Sequence, residues 1–364
     1  MAKTVLIRAT GLRPPKPGSY RSGIPRSNVE LLKAIIKQND PDIEFSIYCP
    51  SFRNPFYFCQ DWPLEHYWYG LPGLTYRCKL EPWWRQNMMG KHDLTHLTEN
   101  ADYFGKHEKF VVTIHDTDMM NRGSFYQKLF FACAAKASGI VTCSEFSKND
   151  IIRKFNVDES KVTVIPWGIS KEMFYPQSES EVRKVKNRFG INGDYFFSCS
   201  CKDPRKNLDI ILEAYKLHAK ENNSTTLVLA LSNPKQEYLD KYKVLISDGR
   251  IKFLDFVSDE DLATLYTGAL ASILVSSLEG FGFPILESMA CGTNCITCKN
   301  SSMTEIGGDK AIFVKERDAE DLARAFSEVA RNGKEDAEGL IQYARTFTWA
   351  ETAKKYLDFY KEHL

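Results

Sequence analysis

Residues 279–292 read EGFGFPILESMACG, and they follow the apolar run ASILVSS at 271–277. That run has the length and composition of a buried strand. Pro284 suits the first position of a helix. Gly280 and Gly282 let the backbone approach a bound group closely. A helix opening here offers free N–H groups and the positive end of its dipole, a seat for phosphate. Glu279 stands before that helix and Glu287 one turn inside it, so both can border one cleft. A carboxylate accepts two hydrogen bonds at once and matches the vicinal hydroxyls of a ribose or hexose. A dinucleotide fingerprint would need a third glycine at position 285, which is Ile285. The alternative is a strand-to-helix turn with incidental glutamates.

The rest of the chain gives this stretch a frame. In the first half, strands are predicted at 4–8, 43–49, 110–114, 139–143 and 161–166. In the second half they are predicted at 195–201, 225–231, 251–256, 271–277, 294–298 and 311–315. Helical patterns lie between them. One helix is predicted to start at Ser27, where S-N-V-E reads as a capping box closed by Glu30. Apolar strands joined by helices indicate parallel sheets covered on both faces. Two such series predict two doubly wound α/β domains with a seam near Gly168. Residues 1–168 form the first domain and 169–347 the second. The helix 348–364 carries an aromatic stripe (Trp349, Tyr356, Phe359, Tyr360) and packs back on the first.

In such sheets ligands bind outside the carboxyl ends of the strands, which is where EGFGFPILE falls. A second stretch shares that position. After the strand at 195–201 comes KDPRKNLDIILEAY, with Arg205 and Lys206 at a helix start. A cationic pair beside a helix amino end suits a diphosphate, and arginine can bind it through two nitrogens. Elsewhere, adjacent basic residues are solvated surface.

The chain's 364 residues carry 48 Lys and Arg against 47 Asp and Glu, so no overall field argues for nucleic acid. The first forty residues are locally basic, with Lys3, Arg8, Arg13, Lys16, Arg21, Arg26, Lys33 and Lys37 against Glu30 and Asp40. This is either an anion-attracting end or a solvated face. No run of about 20 apolar residues spans a membrane. MAKTVLIRAT lacks a signal-peptide pattern. Cysteines scattered among strands point to a reducing, cytoplasmic location. Cys291, Cys295 and Cys298 lack the paired spacing of a zinc site.

EGFGFPILESMACG resembles the E-x7-E signature of the retaining GT-B glycosyltransferases of family 4 (glycosyl transferases group 1). PRKNL, FLDFVSDEDLATLYTGA, VIPWGISKEMFYP, SEFSKNDI, SSMTEIGGDKAIFV, ARTFTWAETAKKYLDFY and SGIPRSNVELLKAI are similar to further blocks of that family. The resemblance runs from about residue 20 to the end. It implies two Rossmann-like domains facing a cleft. The N-terminal domain would bind the acceptor and the C-terminal domain a nucleotide sugar, UDP- or GDP-linked. Arg205 and Lys206 would hold the diphosphate, and Glu287 the ribose. Glu279 would contact the donor sugar. Phe281, Gly282 and Phe283 would offer backbone amides. His115 would face the donor sugar, and Gly23 would lie in the loop approaching the phosphates. The family implies retention of anomeric configuration, no metal and no cofactor beyond the nucleotide sugar. Three positions depart from its pattern. Trp167 stands where Asn is usual, Ser200 or a cysteine replaces a glycine, and the Gly23 loop has one glycine.

The expected activity is transfer of a hexose to a hydroxyl of a glycan or lipid-linked saccharide, in surface polysaccharide or glycan synthesis. The aromatic segment 52–84 either stacks on acceptor sugars, dips into a membrane interface from the cytoplasmic face, or packs as an irregular subdomain. Two other classes share the architecture. An epimerase would need further acid and base residues. A non-catalytic nucleotide-sugar-binding subunit would have lost site residues that this chain keeps.

Overall fold

The computed structural model describes residues 2–9, 12, 23–51, 62–69, 81–118, 123–199, 203–222 and 224–364. Among these the chain divides into two compact units. One holds the chain up to Gly168 together with Thr348–Leu364, and the other holds Ile169–Phe347.

The first unit runs β1 (Lys3–Arg8), α1 (Gly23–Gln38), β2 (Ile43–Pro50), β3 (Glu65–Tyr69), α2 (Glu81–Met88), β4 (Leu94–Leu97), β5 (Phe110–Thr113), α3 (Ser124–Lys136), β6 (Gly139–Thr142), α4 (Glu145–Phe155) and β7 (Val162–Val164). Its strands form one sheet in the order β3-β2-β1-β4-β5-β6-β7. The second unit runs α5 (Glu179–Phe189), β8 (Asp194–Ser198), α6 (Leu208–Glu221), β9 (Thr225–Ala230), α7 (Gln236–Lys241), α8 (Lys243–Ser247), β10 (Ile251–Leu254), α9 (Asp259–Gly268), β11 (Ala271–Leu274), α10 (Phe283–Ala290), β12 (Asn294–Cys298), α11 (Met303–Gly307), β13 (Ile312–Val314), α12 (Ala319–Asn332) and α13 (Ala337–Arg345). Its sheet has the order β10-β9-β8-β11-β12-β13. Every pairing in both sheets is parallel. The final helix α14 (Trp349–His363) belongs to the first unit.

Two strands escape the sequence pattern. β4 is central, between β1 and β5, yet Thr95 and His96 interrupt its apolar run. Both are buried. His96 is satisfied on both nitrogens, by Tyr360 Oη and Thr113 Oγ1, each at 2.7 Å. β3 lies inside the aromatic segment, of which residues 52–61 and 70–80 fall outside the described residues. The capping box at Ser27 is not formed, because α1 already begins at Gly23. Pro25 in its first turn has no N–H to satisfy, so the helix can open ahead of it. Ser27 Oγ donates back to Ile24 O at 2.9 Å, and Glu30 pairs with Lys33 at 2.8 Å.

α14 starts at Thr348, whose side chain accepts from the Glu351 amide. Its aromatic stripe completes the first unit's core. Tyr356, Leu357, Phe359 and Tyr360 pack with Val5, Ile7, Ile35, Ile47 and Val111.

Candidate active site

In the second sheet the strand order reverses between β8 and β11. That reversal opens a crevice at the carboxyl ends of the two strands. Arg205 and Lys206 follow β8, and Glu279 to Phe283 follow β11. The two stretches singled out in the sequence therefore flank one topological switch point.

The basic pair sits in a 3-10 turn, Pro204–Lys206. Asp203 caps it, accepting from the Arg205 amide at 3.0 Å. The same carboxylate receives Arg205 Nε at 3.2 Å and Nη2 at 3.1 Å. Burial raises the Asp203 pKa, but the Arg205 hydrogen bonds outweigh it and leave the carboxyl below its usual range. Asn207 closes the turn in the left-handed region, φ 52° and ψ 47°. Its Nδ2 donates to Val275 O at 2.8 Å and to Ser277 Oγ at 3.0 Å. The Ser277 amide donates to Arg205 O at 2.8 Å. The turn is thus stitched to the end of β11.

Lys206 Nζ donates to Glu279 Oε1, and the pair is mostly buried, 14% and 12% exposed. Ser276 Oγ donates to the same carboxylate oxygen at 2.6 Å. The Glu279 backbone is fixed by Ser301 Oγ and Ser302 Oγ at 3.2 and 2.9 Å. Cation, carboxylate and guanidinium are held with little freedom, as a preorganised polar site requires. Gly282 caps α10 with φ 93°, where a side chain is strained. Pro284 lies in the first turn of α10, behind Phe283 rather than at the opening position. The Phe281 side chain is buried, its ring 5.1 Å from that of Phe283, so it packs as core. Glu287 is only 3% exposed and accepts from Tyr266 Oη at 3.0 Å. Burial holds the Tyr266 phenol well above its ordinary pKa, so it stays a donor.

The structure therefore gathers Arg205, Lys206, Glu279, Gly282 and Phe283, with Glu287 one turn behind them. His115 and Gly23 belong to the other unit. His115 lies just beyond β5 and is 3% exposed. Its Nε2 donates to Thr98 O at 2.8 Å. That leaves Nδ1 as a buried lone pair with no hydrogen-bond partner among the described residues. Burial lowers its pKa to about 4, against the opposing effect of the Thr98 carbonyl, so the ring is neutral at pH 7. Trp167, the departure from the family pattern, packs on it with ring centroids 5.1 Å apart. Gly23 is the first residue of α1 rather than a loop residue. Ser200 and Cys201 lie outside the described residues.

Asp203, Asn207, Ser276, Ser277, Tyr266 and Arg317 complete the site's supports and were not read from the sequence. An Asx-turn signal exists for Asp203, an aspartate just before Pro204. The others carry no local signature. Among the described residues no group of three or more His, Cys, Asp or Glu could hold a metal ion. Cys291, Cys295 and Cys298 are buried, and burial pushes each thiol up to about 12.

Known proteins resemble this chain in sequence and in fold. The model described as "Glycosyl transferases group 1" matches residues 181–347, and "Glycosyltransferase Family 4" matches residues 21–172. O-antigen chain mannosyltransferase B of Escherichia coli is 28% identical over 274 residues, 70% of each chain. Serotype-specific mannosyltransferase WbdA of Escherichia coli is 25% identical over 272 residues, and this chain spans about a third (32%) of its length. Anabaena HepE in complex with UDP and glucose superposes with a TM-score of 0.75 at 17% identity, covering 99% of this chain and 100% of that one. Sucrose-phosphate synthase of Thermosynechococcus elongatus gives 0.74 at 15%, covering 99% and 98%. At these identities the solved structures speak for the fold. The two family matches are adjacent and together span most of the chain. The chain belongs to the family 4 glycosyltransferases of GT-B fold.

Proposed function

We propose that the chain moves a hexose, mannose in the first instance, from a UDP- or GDP-sugar to a hydroxyl of a glycan or lipid-linked saccharide, in surface polysaccharide synthesis. The observation that carries this is the cluster of Arg205, Lys206 and Glu279 at the β8–β11 switch point, beside the amino end of α10. The mannosyltransferases among the sequence relatives support the sugar, and the UDP bound in the Anabaena HepE complex supports the donor class.

In this reading Arg205 and Lys206 take the diphosphate, and the amides of Phe281, Gly282 and Phe283 complete its seat. Glu279 contacts the donor sugar, and Glu287 the ribose. The bond between sugar and phosphate breaks, leaving an oxocarbenium-like sugar. Negative charge developing on the diphosphate meets fixed donors. The acceptor hydroxyl attacks from the same face, and the leaving phosphate takes its proton. The product keeps the donor's anomeric configuration, and the basic pair does the work of a metal. His115, neutral at working pH, carries an Nδ1 lone pair able to accept from a hydroxyl.

Incubation with GDP-mannose or UDP-glucose and a saccharide acceptor, with NMR of the product anomer, tests the transfer. Full activity in EDTA is expected. Hydrolysis or epimerisation without transfer would contradict the assignment.

The acceptor side of the proposal includes contact with a membrane surface. In the first unit, Trp83 (55% exposed) and Met88 (57%) on α2, with Phe125 (46%) and Phe131 (43%) on α3, present large apolar groups to solvent. No described helix is long and apolar enough to cross a membrane. Co-sedimentation with vesicles containing anionic lipid is expected, and its loss in Trp83→Ser is the check.

A further inference from the structure

We propose that Arg317 is a positioning residue of the donor site, holding the Arg205–Lys206 turn in place through Asn207. This rests on the donor-site assignment above.

Arg317 follows β13 and precedes α12. Its backbone is left-handed, φ 54°, a conformation that disfavours side chains other than asparagine or aspartate. Its side chain explains why arginine is nevertheless useful there. Nη1 donates to Asn207 Oδ1 at 2.9 Å. Nη2 lies 3.6 Å from Asp209 in the first turn of α6. The Asp209 contact is exposed on both sides, 56% and 52%, and contributes little. The Asn207 contact is different, because Asn207 is 1% exposed.

Asn207 is thereby held at both ends of its amide. Nδ2 ties it to Val275 O and Ser277 Oγ at the exit of β11. Oδ1 accepts from Arg317 Nη1 at the exit of β13 at 2.9 Å and, at 3.3 Å, from Ser277 Oγ. α12 packs against α6, which brings the segment ahead of α12 within reach of the turn ahead of α6. The two cations immediately precede Asn207 in the chain. Without Arg317 the amide oxygen keeps, among the described residues, only the longer Ser277 contact, and the turn that carries both cations is held only from the β11 side. A hydrogen bond from a charged donor to a buried acceptor is among the stronger polar contacts, so its loss should be visible in binding.

The left-handed backbone supplies a clean test. Arg317→Gly removes the side chain together with the strain of the left-handed backbone, so the lost hydrogen bond is offset and the melting temperature should stay near that of wild type. Calorimetric titration with UDP and with GDP would then separate position from stability. Affinity for whichever nucleoside diphosphate wild type binds should weaken about tenfold in Arg317→Gly, at a melting temperature near that of wild type. Arg317→Lys, which keeps a charged donor, should recover part of it. Wild-type affinity in Arg317→Gly would overturn the inference alone. So would weakened affinity accompanied by a melting temperature lowered by several degrees, which would mark a structural role. Binding of neither diphosphate by wild type would overturn the donor-site assignment, and this inference with it.

Discussion

Lys206 and Glu279 form one polar unit, and substituting either should show it. Lys206→Ala removes the cation and leaves the Glu279 carboxylate with Ser276 as its side-chain donor among the described residues. Its kcat is expected to fall by about 100-fold or more, the loss typical of a preorganised charge-stabilising donor. Glu279→Gln keeps the shape and the Ser276 contact, so it should retain the fold while losing sugar-dependent rate. Gly282→Ala should cost about 1–2 kcal/mol in urea unfolding, because φ 93° is strained for any side chain. Much of this site was legible in the sequence. Arg205, Lys206, Glu279, Gly282 and Phe283 stand within two short stretches at strand ends, and chemistry and chain position coincide there. What was not legible is how they are held. Asn207 and Arg317 are 110 positions apart, and the bond between them depends on two helices packing side by side.

The strands and helices show a similar division. Continuous apolar runs such as FVVT and GIVT announced β5 and β6 with ends within a residue or two. β4 stayed hidden because its His96 is polar, and its polarity is satisfied by a residue from the far end of the chain. Tyr360 of α14 donates to or accepts from His96 Nδ1, and Thr113 holds Nε2. Tyr360→Phe should therefore cost about 1–3 kcal/mol, since a buried ring nitrogen is left unpaired. Tyr360→Ala should cost more, about 3–5 kcal/mol, by adding a cavity beside Phe45 and Tyr356. Chemical denaturation of the two variants separates the hydrogen bond from the packing. The helix itself was visible as an aromatic stripe; its polar bond to a central strand was not.

The chain as a whole folds as two parallel-sheet units, and the buried imidazoles of the first set its behaviour in acid. Burial depresses His96 to about 3 and His115 to about 4, while unfolded imidazoles titrate near 6.5. Below pH 6.5 the unfolded chain takes protons that the folded one refuses. Stability is therefore fully present at neutral pH and is lost as pH falls from 6.5 toward 4 for His115 and toward 3 for His96, by up to about 1.4 kcal/mol per pH unit for each group. Melting curves at pH 7.5, 6.0 and 5.0 should show a falling midpoint for the first unit. A midpoint that stays level would show that these rings are already charged in the fold.

Donor binding decides the proposal that the β8–β11 switch point holds a nucleotide sugar through Arg205 and Lys206. It is tested most directly by thermal shift of wild type and Lys206→Ala against UDP-, GDP-, ADP- and dTDP-sugars. A ligand at a hundred times its dissociation constant adds about 2.7 kcal/mol, enough to raise the midpoint by a few degrees. A shift with one nucleotide class that disappears in Lys206→Ala is expected. No shift with any of the four, or an equal shift in both proteins, would contradict it.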